Sequence, residues 1–296
     1  MQGGNLLSVL LPVALFIIML GMGLSLRRDD FLRLLSHPGQ VVAGLSLQML
    51  LLPLLGLIIV IMLNLPPVLA VGLLILTFAP GGATSNMISH LCRADTALSI
   101  TLTAVTSLLV PFTLPWLTWW AMSHFMGEGV MVTLPLLETA MKLLVVTVVP
   151  VSIGMVLNAK YPALCQRLYR PVKAISLLFM FTVVVLITLA NREALPQLLP
   201  QLSPAILLLA CSAMLLAWLI AQRGFRYDVS TSLTLAIETG IQNAGTALLV
   251  TGAILQQPQM SMTVLLYGIL MQLPAVGLII WRNSPAGVGV GSVNSQ

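Results

Sequence analysis

The sequence predicts an all-α polytopic membrane protein of about nine transmembrane helices, and three observations carry that expectation. First, the chain is 58% hydrophobic and only 7% charged, where ordinary soluble domains carry roughly 25% charged residues. So few charges do not cover a water-exposed surface, and most of the outside must meet lipid. Second, reading between charged or Pro/Gly-rich breaks leaves nine apolar runs, each long enough for a hydrocarbon core that needs about 20 residues. They are 5–26, 38–63, 66–92, 94–123, 130–157, 171–190, 200–222, 229–255 and 258–282. Third, the basic residues fall almost entirely between alternate runs.

The first run has no basic residues before it and is longer than a signal-peptide core, so it reads as a spanning helix. Arg27, Arg28 and Arg33 follow it. Arg93 follows the third run, and Lys160, Arg167, Arg170 and Lys173 follow the fifth. Arg223 and Arg226 follow the seventh, and Arg282 the ninth. Eleven of the thirteen basic residues thus lie after odd-numbered runs. Cytoplasmic loops carry that excess. The expected topology has the N-terminus outside and the C-terminus in the cytoplasm, in the inner (plasma) membrane. Dropping or merging one run would scramble the bias. The tail 283–296, rich in Gly, Ser and Val, reads as disordered.

The net charge of +5 implies no nucleic acid, because the basic residues form no stripe and have no interleaved aromatics. Cys92, Cys165 and Cys211 lie far apart without metal-ligand spacing and read as packing residues. No HExxH, GxSxG or phosphate-binding loop is present, so neither an enzyme nor a cofactor is expected. Trp116, Trp119 and Trp120 read as an interfacial belt.

Two runs do not look like continuous membrane helices. The third contains Ala79-Pro80-Gly81-Gly82-Ala83-Thr84-Ser85-Asn86, where Pro-Gly-Gly removes a donor and loosens the backbone. The eighth contains Glu238-Thr239-Gly240-Ile241-Gln242-Asn243-Ala244-Gly245. Broken backbone at membrane depth is tolerated only where it lines a cavity or is buried in protein. Two broken spans separated by an odd offset of five are what an inverted repeat places at a transporter's binding site.

Glu238 matters most. A carboxylate at the bilayer centre costs ~2.5–3.5 kcal/mol on insertion scales and needs a partner. Glu138 can pair with Lys142 one turn along its own helix, but Glu238 has no basic residue nearby in sequence. A bound cation, a proton or a distant basic residue would each answer. The neighbouring Ser85, Asn86, Gln242 and Asn243, with free carbonyls, are hard oxygen donors and favour the cation. Ser99 and Thr103 share one face of the fourth run, with Thr106 beyond them; membrane hydroxyls also bond back to their own helix. Gln48 is an amide in the otherwise apolar second run and suits an interhelical hydrogen bond.

The stretch Ala79-Pro80-Gly81-Gly82-x-x-Ser85-Asn86, then Leu98-Ser99-x-x-x-Thr103, then Glu238-x-Gly240-x-Gln242-Asn243 resembles the bile acid:sodium symporter family. Met22-Gly23-Leu24 and Gln48 fit it too, and the resemblance covers 1–282. It implies a bacterial nine-helix form with two inverted repeats and two discontinuous, crossing helices. A core domain would comprise about 38–123 and 200–282, and a panel domain about 5–26 and 130–190. It also implies one sodium site at Ser85, Asn86, Ser99, Thr103 and Glu238, and a second at Gln48, Glu238, Gln242 and the carbonyls of Thr239 and Ile241.

With sodium as coupling ion, the half-helix N-termini at Ala83-Thr84 and Asn243-Ala244 suit the anionic group of a substrate. The expected function is sodium-coupled symport of an organic anion, bile-acid-like or a small carboxylate such as a pantoate-type or keto acid. The expected partners are that anion, sodium ions and the lipid bilayer. The alternatives are a proton-coupled anion carrier, a sodium/proton antiporter (which would usually want two adjacent carboxylates) and a non-transporting sensor or channel. The sequence sets no oligomeric state.

Overall fold

The computed structural model describes residues 2–79, 81–127 and 134–284, and among these every regular element is a helix. In chain order they are α1 (Gln2–Ser25), α2 (Arg28–Ser36), α3 (Pro38–Met62) and α4 (Pro67–Thr77). Next come α5 (Ala83–Leu91), α6 (Thr96–Met126), α7 (Leu136–Lys160) and α8 (Pro162–Ala190). Then follow α9 (Leu195–Gly224), α10 (Val229–Gly240), α11 (Ala244–Leu248) and α12 (Pro258–Asn283). A π turn over Leu249–Ile254 carries α11 onward. Six of these, α3, α6, α7, α8, α9 and α12, are long and apolar enough to cross a membrane. The protein is an integral, all-helical membrane protein.

Several boundaries differ from the sequence reading. α8 begins at Pro162 rather than 171, with Tyr161 alone separating it from α7. Arg167 and Arg170 fall between the fifth and sixth apolar runs, but basic residues are good helix formers and extend a helix beyond the lipid. α9 likewise starts at Leu195 rather than 200, and α6 runs on to Met126. The short helix α2 was not expected; Asp29 and Asp30 sit in its first turn, where carboxylates suit the helix dipole. Asn283, assigned to a disordered tail, ends α12, and its amide donates to Leu91 O at 3.0 Å. The rest of that tail from residue 285, the start of the fifth run at 130–133, and Pro80 lie outside the described residues.

Two packing groups are visible. α1 lies along α8 and the second half of α7. Gly23 and Gly154 let α1 and α7 touch backbone to backbone: a Cβ on Gly154 would sit 2.6 Å from Gly23 C. Small residues allow such close crossings in lipid, where packing rather than water exclusion drives association. In the other group α9 packs on α10, α12 on α4, and α4 on α6. Its interior holds fully buried Leu73, Leu74, Ile75, Leu102 and Leu209. The two groups meet where α1 touches the Leu249–Ile254 turn and where α6 packs on the first half of α7.

Candidate functional site

The third and eighth runs are both broken. α4 stops at Thr77 and α5 restarts at Ala83; α10 stops at Gly240 and α11 restarts at Ala244. The breaks are tied together, because Asn243 N donates to Ala79 O at 3.0 Å. At Gly81 φ is +58°, and a Cβ there would lie 3.3 Å from Glu238 Oε2 and 3.2 Å from Thr106 Oγ1. Glycine thus supplies both a left-handed turn and the room for a carboxylate against the backbone.

Glu238 of α10 is fully buried, and α3, α5 and α6 bring polar groups to it. Ser99 Oγ of α6 lies 2.5 Å from Glu238 Oε1 and 2.7 Å from Asn86 Oδ1 of α5. Thr103 Oγ1 lies 3.1 Å from Asn86 Oδ1 and 3.4 Å from Glu238 Oε2. Each hydroxyl has one proton to give, so two protons serve four oxygen–oxygen contacts. From α3, Gln48 Nε2 donates to Glu238 Oε2 at 3.0 Å and to the Glu238 carbonyl at 2.9 Å. Gln242 Nε2 donates to Thr239 O at 2.6 Å and Glu238 O at 3.2 Å. That leaves the amide oxygens Gln48 Oε1 and Gln242 Oε1 buried without a partner. Leaving such a group unsatisfied costs about 1–3 kcal/mol.

Local chemistry explains how Gln48 gets there. It lies in a π turn over Leu47–Leu51, in which Leu52 N reaches back to Leu47 O. Pro53 follows and has no N–H to offer the carbonyl one turn back. Such bulges re-aim a side chain inside a helix.

The candidate residues therefore fall into two sets. Gln48, Ser85, Ser99, Thr103, Glu238, Thr239, Ile241 and Gln242 are buried, with half-buried Asn86 at their edge. Ser85 bonds locally, its hydroxyl donating to Gly82 O at 2.8 Å. Ala83 is exposed and Thr84, Asn243 and Ala244 are half-buried, at the start of the two half-helices. Asn243 caps α11, Oδ1 accepting from Thr246 N at 3.1 Å. Thr106 takes the local option: its hydroxyl bonds Leu102 O at 2.9 Å on its own helix. Lys142 pairs with Glu138 at 2.6 Å.

The sequence reading missed Tyr267 and Met271. Tyr267 is fully buried and donates to Gly240 O at 3.3 Å, holding the end of α10. A tyrosine in mid-span needs a partner for its hydroxyl, which was a usable signal. Met271 Sδ accepts from Gln242 N at 3.4 Å, a contact no pattern announces.

With this geometry in place, the comparison with known families is decisive: the model of the sodium bile acid symporter family matches residues 12–198, more than half of the chain. The chain belongs to that family. It is a membrane transporter and not an enzyme. An uncharacterized sodium-dependent transporter of Bacillus subtilis, YocS, is 29% identical over 81% of this chain and 72% of its own length. The probable sodium/metabolite cotransporter BASS1 of Arabidopsis thaliana, a chloroplast protein, is 33% identical over 78% of this chain. The human sodium/bile acid cotransporter 4 is 31% identical over 80%. The chain spans about half the length of the latter two, 56% and 54%. Gln48, Ser85, Asn86, Ser99 and Thr103 fall inside the family match, and Glu238 lies beyond it.

Proposed function

We propose that this protein is a sodium-coupled symporter of an organic anion, working by alternating access. The observation that carries the reading is the shortage of protons around Glu238. A buried carboxylate, Asn86 Oδ1, two hydroxyls and two orphan amide oxygens form an oxygen cage that a small hard cation would satisfy. Sodium at Ser85, Asn86, Ser99, Thr103 and Glu238 would neutralise the carboxylate. A second ion at Gln48, Glu238, Gln242 and the carbonyls of Thr239 and Ile241 would take up the orphan oxygens. The sodium-dependent relatives support this choice over a proton. So does the donor set: a proton needs one acceptor, whereas this cage offers many.

The anion would meet the partly exposed starts of α5 and α11. A helix start favours negative charge there, and Thr84 and Asn243 would add side-chain donors. Sodium would couple to it by fixing the breaks from behind: Glu238 closes α10 and Asn243 opens α11, five residues apart. A ligand shifts a conformational equilibrium only through unequal affinity for the two states, and the cage exists only when α3, α5, α6 and α10 are together.

The reading further takes nine spans, with α4–α5 and α10–α11 each forming one crossing span of an inverted repeat. The backbone supports it. Among the described residues, the four non-glycine residues with positive φ, Asn64, Arg93, Arg226 and Gln256, follow α3, α5, α9 and the α11 extension. Those are the second, third, seventh and eighth spans, paired at an offset of five. We take α1, α7 and α8 as the panel and the remaining spans as the core, with the N-terminus outside and the C-terminus cytoplasmic. A small carboxylate is the preferred cargo.

The test is uptake into proteoliposomes of a panel of radiolabelled carboxylates and a bile acid, under an inward sodium gradient, a potassium gradient and a pH gradient. Uptake of one anion driven by sodium alone is expected. Uptake driven equally by pH without sodium would overturn the coupling.

A further inference from the structure

Three polar columns run from the Glu238 cage to one end of the molecule. On α10, Thr234 lies one turn before Glu238 and Ser230 one turn further. On α6, Ser99 lies one turn before Thr103 and Asp95 one turn further. On α5, Ser89 lies one turn after Ser85. Residues four apart share a helix face, and each step advances about 6 Å along the axis. The columns stay side by side to the end. Thr234 Oγ1 lies 3.1 Å from Asp95 O and 3.2 Å from Ser230 O, and Asp95 N donates to Ser230 O at 3.4 Å. Ala94 N donates to Ser89 O at 2.9 Å, closing α5 beside them.

One group in this seam is unexplained. Ser89 Oγ is fully buried and has no hydrogen-bond partner. A serine in a membrane helix normally bonds back to its own carbonyls, as Ser107 and Ser203 do here. Thr234 has one proton against two carbonyls, so its hydroxyl also keeps a lone pair free. Asp95 is only half-buried and brings a carboxylate to the mouth, where it caps α6 by accepting from Leu98 N at 3.0 Å. The order along the seam is therefore buried carboxylate, buried hydroxyls, half-exposed carboxylate.

We infer that this seam between α5, α6 and α10 is a sodium path, with a transient cation site at Ser89 Oγ and Thr234 Oγ1 between the Glu238 cage and the Asp95 mouth. The inference rests on the sodium-coupled reading above. It separates the routes of the two cargoes: the anion meets the breaks from the side of Thr84 and Asn243, while sodium enters and leaves within the helix cluster behind them. The hydroxyls between cage and mouth give the ion a ligand along the way.

The experiment measures radioactive sodium exchange across proteoliposomes at equal sodium on both sides, with the anion identified by the uptake panel also equal on both sides, beside sodium-dependent thermal stabilisation of the same proteins in detergent. The variants are Ser89→Ala, Thr234→Val, Thr234→Ser and Asp95→Asn; the last keeps the helix cap and removes the charge. Ser89→Ala, Thr234→Val and Asp95→Asn are expected to slow exchange about tenfold, a change in barrier height. Thr234→Ser keeps the wild-type rate, and the sodium concentration for half-maximal stabilisation stays unchanged in all four. If wild type is stabilised by sodium yet the variants exchange at its rate, the path is wrong and the cage stands. If the stabilisation midpoint moves with the exchange rate, these groups belong to a resident site and the path is again wrong. If sodium does not stabilise wild type, the symport reading falls and takes the path with it.

Discussion

The two helix breaks do different work. The first, between α4 and α5, supplies room: Gly81 adopts φ +58°, its missing side chain leaves space for Glu238, and the start of α5 carries small, accessible Ala83 and Thr84. The second, between α10 and α11, supplies the charge and the amides. It spans only Ile241–Asn243, has no positive φ, and holds itself with side chains: Gln242 folds back onto Thr239 O, and Asn243 caps α11. Neither break makes a site alone. Joined by Asn243 N to Ala79 O, they put a carboxylate against an opening in the other chain segment. Two broken segments can thus carry an asymmetric chemistry, one shaped by absence and the other by functional groups.

The sharpest way to break this comparison is to fill the room. Gly81→Ala puts a methyl 3.3 Å from Glu238 Oε2 at a left-handed residue, which itself costs an L-residue about 1–2 kcal/mol. Sodium-driven uptake is expected to fall by at least about tenfold. Gly82→Ala is the control: its φ is −159° and the nearest atoms would lie 3.6 Å away on Asn243, so uptake should stay near wild type. Equal effects of the two would deny Gly81 its role.

A smaller effect is expected at the second break. Asn243→Ala removes the α11 cap, worth about 1 kcal/mol of stability, and, on the proposed reading, a donor to the anion. The KM for the anion should rise several-fold while the sodium dependence of stability is kept; loss of sodium stabilisation instead would move Asn243 into the cation cage. The smallest effect is expected for Thr106→Val. Its hydroxyl bonds its own helix, so uptake should change less than about twofold, within the range of ordinary packing changes.

Much of this is legible in the sequence. Glu238, Gln242, Asn243, Ser85 and Asn86 stand out because polar groups in an apolar run must find partners, and the family motif fixed their order. Gln48 was visible as an amide, but its aim depends on a π turn that hydropathy does not encode. The contact between Gly81 and Glu238 joins residues more than 150 positions apart and needed tertiary structure. Ser99 and Thr106 look alike in sequence; only the approach of Asn86 and Glu238 pulls the first away from its own backbone. α2 and the start of α8 lie outside the apolar runs because hydropathy stops at their charged residues, which are nonetheless compatible with helix outside the lipid.

The central claim is that the Glu238 cage holds sodium. Its most direct test is the thermal stability of purified wild type and Glu238→Gln, titrated with sodium chloride and, at equal ionic strength, potassium chloride. At about 100 times its dissociation constant a bound ion stabilises by ~2.7 kcal/mol. The expected result is a saturable rise in the melting temperature of wild type in sodium, none in potassium, and none in either salt for a variant that still melts cooperatively. Equal stabilisation by both salts, or a sodium response that survives Glu238→Gln, would contradict the account.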